Sequence, residues 1–100
     1  MKHAVVRYKV KPAAVAENER LVRDIYDELE AAAPAGLRYA TFKLGDGVSF
    51  VHIAQTEDGH TALPELAAFQ RFQEGIRERC DEPPLVSGSE VIGSFRMFGE

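Results

Sequence analysis

Residues 3–10 (HAVVRYKV) alternate. Ala4, Val6, Tyr8 and Val10 fall on one side, and His3, Val5, Arg7 and Lys9 on the other. Period two predicts a strand, and Pro12 ends it. From about Ala14 to Ala33 the period lengthens. Leu21, Val22, Ile25 and Leu29 form an apolar stripe at spacings of three and four, which predicts a helix stopped by Pro34 and Gly36. Two further strands follow, "LRYATFKL" and "VSFVHIAQ", joined across Asp46-Gly47 as a two-residue hairpin. That turn pairs Lys43 with Phe50, Phe42 with Val51, Thr41 with His52, Ala40 with Ile53 and Tyr39 with Ala54. Cross-strand partners share a face. Ala40, Phe42, Val51 and Ile53 therefore form an apolar side, and Tyr39, Thr41, Lys43, Phe50 and His52 a mixed one.

A second helix is predicted after the loop "EDGHTALPE", with Thr61 as its cap and Pro64 in its first turn. Its stripe is Leu66, Phe69, Phe72, Ile76 and Cys80. "DEPPLVSGS" reads as a Pro/Gly loop and "EVIGSFRMF" as the last strand. The order is βαββαβ, which predicts an α+β, ferredoxin-like domain spanning residues 1–100, with two helices on one face of a four-stranded antiparallel sheet. The apolar sides of the strands are expected to face the helices. The mixed side, with His52, is expected to be helix-free.

Composition narrows the function. The chain has 100 residues, 45% hydrophobic and 28% charged, with net charge −4. Nucleic-acid binding needs a basic footprint, which this balance lacks. The strand around Phe50 matches an RNA-recognition strand at Gly47, Phe50 and Val51. It fails where a cation and two aromatics belong, at Asp46, Val48 and Ile53. No leader or membrane-spanning run is visible. A single cysteine, Cys80, fits a cytoplasmic location. No metal-ligand spacing and no glycine-rich phosphate loop occurs, so neither a metal nor a cofactor is expected.

The segments "KHAVVRYKVKP", "PAGLRYATFKLGDGVSFVHIA", "LPELAAFQRFQEGIRERC" and "VIGSFRMF" together resemble the dimeric α/β-barrel superfamily, which includes the antibiotic-biosynthesis monooxygenase-like proteins. The resemblance covers nearly the whole chain and lies in layout more than in a catalytic signature. It implies a homodimer joined through the helix-free sheet face, around an interior that takes a small apolar or aromatic molecule. It also implies cofactor-independent monooxygenase or isomerase chemistry, the alternative being a non-catalytic ligand-binding or accessory domain. The tryptophan of the family's haem-degrading members is missing, and the only asparagine, Asn18, falls in the first helix.

His52 is the candidate proton acceptor, with a structural role, hydrogen-bonded to Thr41 or to a dimer mate, as the competing reading. Arg7 and Arg96 are candidates to hold an oxyanion, or to form ion pairs between subunits. Tyr39, Thr41, Phe50 and Phe72 are candidate ligand contacts; rings at these positions also serve simply as packing.

Overall fold

The protein is described from a computed structural model that covers residues 2–57 and 62–97. His60, Thr61 and Phe98 lie outside the described residues. Strand β1 (Lys2–Val10) leads through a 3-10 turn at Pro12–Ala14 into helix α1 (Val15–Ala32). Strands β2 (Leu37–Lys43) and β3 (Ser49–Thr56) form the hairpin. A second 3-10 turn (Leu63–Glu65), helices α2 (Ala67–Gln73) and α3 (Ile76–Arg79), and strand β4 (Cys80–Ser89) complete the order. The antiparallel strands run β2-β3-β1-β4, the ferredoxin-like arrangement.

The predicted stripe of α1 is the buried one. Leu21, Val22 and Ile25 are in the core and Leu29 packs against it. Burying each such side chain contributes roughly 1.5–3 kcal/mol. The helix closes with Ala33 in the left-handed region (φ 43°), its amide donating to the Leu29 carbonyl. This is an αL cap built without glycine, and Pro34 follows it.

The hairpin register is the one the sequence predicts, from Tyr39↔Ala54 to Lys43↔Phe50. Its loop differs. The Leu44 amide donates to the Ser49 carbonyl at 2.8 Å and the Gly47 amide to the Leu44 carbonyl at 3.0 Å, so residues 45–48 form a four-residue loop. Four residues in place of two leave the pairing in phase. The Asp46 carboxylate accepts from the Val48 and Ser49 amides and the Ser49 hydroxyl. Gly47, at φ 80°, takes the conformation that L-residues resist.

Two expectations are corrected. The last strand is Cys80–Ser89, not "EVIGSFRMF". Among the described residues β4 is an edge strand that pairs only with β1, and a register shift between Arg7 and Lys9 accommodates Pro83-Pro84. Prolines are tolerated at an edge, where a missing amide costs no ladder bond. Residues 91–97 follow as an irregular, exposed segment. The second helix is also interrupted: Glu74 is extended and Gly75 left-handed between α2 and α3, so Cys80 begins a strand instead of ending a helix stripe.

The third correction concerns the two faces. Tyr8 and His52 pack against Phe72 of α2, Phe50 stacks on Tyr8, and Thr41 meets Tyr26 of α1. The mixed side of the hairpin therefore faces the helices. Ala40, Phe42, Val51 and Ile53 share the helix-free face with Val5, Arg7 and Leu85. Polar groups can occupy the inner face because each finds a hydrogen-bond partner there. Among the described residues, no buried side-chain N or O lacks one.

Candidate functional site

Three strands and two helices converge on His52. The imidazole is 3% exposed. Its Nε2 lies 2.8 Å from the Tyr8 hydroxyl. Its Nδ1 is bonded to the Tyr39 hydroxyl and lies 3.3 Å from the Thr41 hydroxyl. β1 presents Tyr8 because period two puts it beside Val6 and Val10 on the inner side. β2 presents Tyr39 and Thr41 for the same reason, and β3 presents His52 between Phe50 and Ala54.

The polar chain extends in both directions. Asn18 of α1 is fully buried and donates from Nδ2 to the Tyr8 hydroxyl at 2.9 Å. Its Oδ1 accepts from Arg79 Nε at 3.3 Å. Arg79, 6% exposed, also donates to the Glu74 and Phe72 carbonyls at 2.9 and 2.6 Å, and its guanidinium sits 5.4 Å from the Phe72 ring centroid. These carbonyls are among those left open where α2 stops, so a buried cation serves as its cap. At the other end, the Thr41 hydroxyl lies 2.7 Å from that of Tyr26, and Tyr26 stacks on Tyr39.

Burial decides the charge states. It holds the His52 pKa at about 4, so the ring is neutral at pH 7. Burial pushes the Tyr8 hydroxyl well above its ordinary range, against the smaller opposing pull of the Asn18 bond. Tyr39 is raised for the same reason, as is Tyr26. The core of the network is thus uncharged, with the Arg79 cation at its end.

Two clefts open beside it. One, about 250 Å³, is lined by Tyr26, Leu29, Glu30, Ala33, Pro34, Leu37 and Tyr39. The other, about 450 Å³, is lined by Val22, Tyr26, Thr41 and Phe50, with Glu19, Arg23 and Lys43 at its charged side. Lys43 and Glu19 pair there at 2.5 Å. Tyr26 is common to both. His52 lines neither; Tyr39 and Thr41 stand between it and the clefts.

The candidate residues divide accordingly. His52, Tyr39, Thr41, Phe50 and Phe72 come together, on the helix side of the sheet. Phe50 stacks on Tyr8 at 5.5 Å, and Phe72 lies 5.4 Å from His52. Arg7 is exposed on the opposite face, paired in register with Leu85. Arg96 sits beyond the sheet, its guanidinium over Phe95 at 4.8 Å, so strand pairing does not unite the two arginines. Sequence reading missed Asn18, Tyr26 and Arg79. Asn18 lies three, four and seven residues before Leu21, Val22 and Ile25, on the buried stripe. Arg79 lies seven after Phe72 and three after Ile76. A polar residue in phase with a core stripe was the available signal. Among the described residues, no group of three or more His, Cys, Asp or Glu is placed to hold a metal.

No protein-family model and no curated protein matches the sequence. Solved structures match its fold. One titled an antibiotic biosynthesis monooxygenase superposes with a TM-score of 0.74 at 21% identity, over 93% of this chain and all of the other. Rv0793 from Mycobacterium tuberculosis gives 0.73 at 16%, over 93% and 96%. SnoaB, a cofactor-independent oxygenase from Streptomyces nogalater, gives 0.66 at 20%, over 96% and 97%.

Proposed function

We propose, from a fold shared with the antibiotic biosynthesis monooxygenase-like proteins, that this chain, as one domain of 100 residues, forms a cytoplasmic homodimer. In this reading it binds a small, largely apolar aromatic molecule and transforms it without a cofactor, as an oxygenase or isomerase of an acidic, phenol-like substrate. One observation carries the reading: Tyr39 lines a mostly apolar cleft large enough for a ring, and its hydroxyl is hydrogen-bonded to a neutral, buried imidazole.

In that cleft Tyr39 is the group that meets a substrate oxygen, and the Glu30 carboxylate of the same wall is the base. Glu30 takes a proton from a carbon beside the substrate carbonyl. The electron pair moves onto the oxygen, where Tyr39 donates to it. Return of the proton at a second carbon completes an isomerisation. In oxygenation dioxygen adds to that carbon instead, the resulting peroxide takes the proton back from Glu30, and the hydroperoxide, whose carbon keeps a second hydrogen, loses water to leave a carbonyl. His52 acts through Tyr39 and does not touch the substrate.

The apolar outer wall of Leu29, Ala33, Pro34 and Leu37 favours a second reading, a carrier that holds a ring without reacting. Oxygen uptake and product analysis with hydroxylated polycyclic aromatics separate the two. Turnover that Tyr39→Phe reduces supports the enzyme. Saturable binding with no consumption of oxygen or substrate supports the carrier, and no binding by any of the panel overturns both.

The dimer reading rests on the helix-free face, where Val5, Ala40, Phe42, Val51 and Ile53 adjoin Leu85, itself 69% exposed. Val91, Ile92, Phe95 and Met97 add exposed apolar surface just beyond it in sequence. A surface of this kind calls for a partner, and a second copy of the chain is the simplest one.

A further inference from the structure

The hydrogen bonds around His52 have a direction, and the buried cation sets it. A guanidinium is a donor only. The atom of Asn18 that faces Arg79 Nε at 3.3 Å must therefore be the oxygen. This leaves the amide nitrogen facing the Tyr8 hydroxyl at 2.9 Å, as its donor. Tyr8 accepts that bond and must place its own proton elsewhere. Its other hydrogen-bond partner among the described residues is His52 Nε2, at 2.8 Å. So Nε2 is the accepting nitrogen. A neutral imidazole carries one proton, which is then on Nδ1, aimed at Tyr39 with Thr41 as a longer second acceptor. Tyr39 accepts it and keeps its own hydroxyl proton for Thr41 or for an oxygen in the cleft.

We propose that Arg79 and Asn18 are positioning residues. They lock His52 in the Nδ1–H tautomer, so that Tyr39 meets the cleft as a hydrogen-bond donor. The ligand is thereby one that presents an acceptor oxygen at Tyr39: a ketone, a quinone or a phenolate. This last step rests on the functional reading above, whereas the tautomer does not.

The opposite polarity needs only one changed atom. In Asn18→Asp the amide nitrogen becomes a second carboxylate oxygen, still beside Arg79 and now acceptor-only. Tyr8 must then donate to it and accept from the ring. The proton moves to Nε2, and Tyr39 must donate inward.

Long-range proton–nitrogen NMR on the ligand-free, uniformly labelled protein reads this directly, because the unprotonated ring nitrogen resonates far downfield of the protonated one. The expected result is a downfield Nε2 in the wild type and a downfield Nδ1 in Asn18→Asp. A wild-type ring protonated at Nε2 overturns the proposal without any variant, as does a folded Asn18→Asp that keeps the wild-type pattern. Should that variant not fold, Arg79→Lys asks the same question more gently. A lysine also donates to the Asn18 oxygen and should preserve the tautomer; a reversed pattern in that variant also overturns the proposal.

Titration with a quinone and with its redox-inert hydrocarbon then tests the ligand class. Binding of the quinone at least tenfold tighter supports it, and equal affinity overturns that part. The wild-type tautomer is measured without ligand, so a correct tautomer with no turnover separates this inference from the enzyme reading.

Discussion

The Tyr8 hydroxyl lies 2.8 Å from Nε2 of His52. The two rings are 5.3 Å apart, between β1 and β3. That contact joins the strand pairing to the polar network, because Tyr8 is also the acceptor for Asn18. Tyr8→Phe keeps the ring and removes only the oxygen. It leaves the Asn18 amide and the His52 nitrogen buried without that partner, which costs roughly 1–3 kcal/mol. For a chain of this size the melting temperature should fall by about 4–8 °C per kcal/mol. Calorimetry checks it; an unchanged melting temperature means the hydroxyl is energetically idle.

Acid should destabilise the protein in two separate windows. His52 titrates near 4 when folded, against an ordinary 6.5. Between those values the unfolded chain binds the extra proton, so stability is complete above about pH 6.5 and falls steadily towards pH 4. The difference corresponds to about 3 kcal/mol in total. Asp46, held near 2 first by the Ser49 hydroxyl and then by the Val48 and Ser49 amides, loses its contribution only at lower pH, between its ordinary 3.8 and about 2. Urea titrations across pH 7 to 4 should show the first slope in the wild type. His52→Gln, which has nothing to titrate there, should flatten it.

Much of this site was legible in the sequence, though on the wrong side of the sheet. The pairing of Thr41 with His52 followed from the Asp46-Gly47 turn, and it survived the longer loop because two added residues preserve phase. The gathering of Tyr39, Thr41, Phe50 and His52 followed from that pairing. Their inward direction did not, because this sheet has two apolar-rich faces and hydrophobicity alone favours Phe42, Val51 and Ile53 for the core. Partners distant in sequence make the polar inner face stable: Tyr8 for His52 and Tyr26 for Thr41, with Asn18 and Arg79 behind Tyr8. β4 was hidden for a local reason. Pro83-Pro84 imitates a loop, while "EVIGSFRMF" has strand-like apolar content but no strand pairing among its described residues, 90–97.

Tyr39→Phe should separate ligand chemistry from folding. Tyr39 is only partly buried, and the substitution keeps its stacking on Tyr26. The loss in stability should be about 1 kcal/mol. Loss of a hydrogen bond to a bound oxygen should weaken ligand affinity about tenfold. Isothermal titration with a hydroxyquinone measures it. Equal affinity in the two proteins would place the ligand elsewhere, with the larger cleft at Thr41 and Phe50 the next to probe.

The helix-free face makes the most direct prediction about assembly. Ile53 stands in the middle of that face, in register with Val5 on one side and Ala40 on the other. Its side chain points away from His52 and the helices, because successive residues of a strand alternate. Ile53→Lys should therefore leave the far-UV circular dichroism and the His52 ring resonances unchanged. In a two-fold interface the substitution occurs twice, and each copy places a charge where apolar surface should close. Breaking contacts on both sides should weaken association more than about a hundredfold, or roughly 3 kcal/mol. Sedimentation velocity at micromolar concentration should give a dimer for the wild type and a monomer for Ile53→Lys. A monomeric wild type would remove the barrel altogether. A variant that remains dimeric would move the interface to the exposed apolar residues around Ile92 and Phe95, where Ile92→Lys repeats the test.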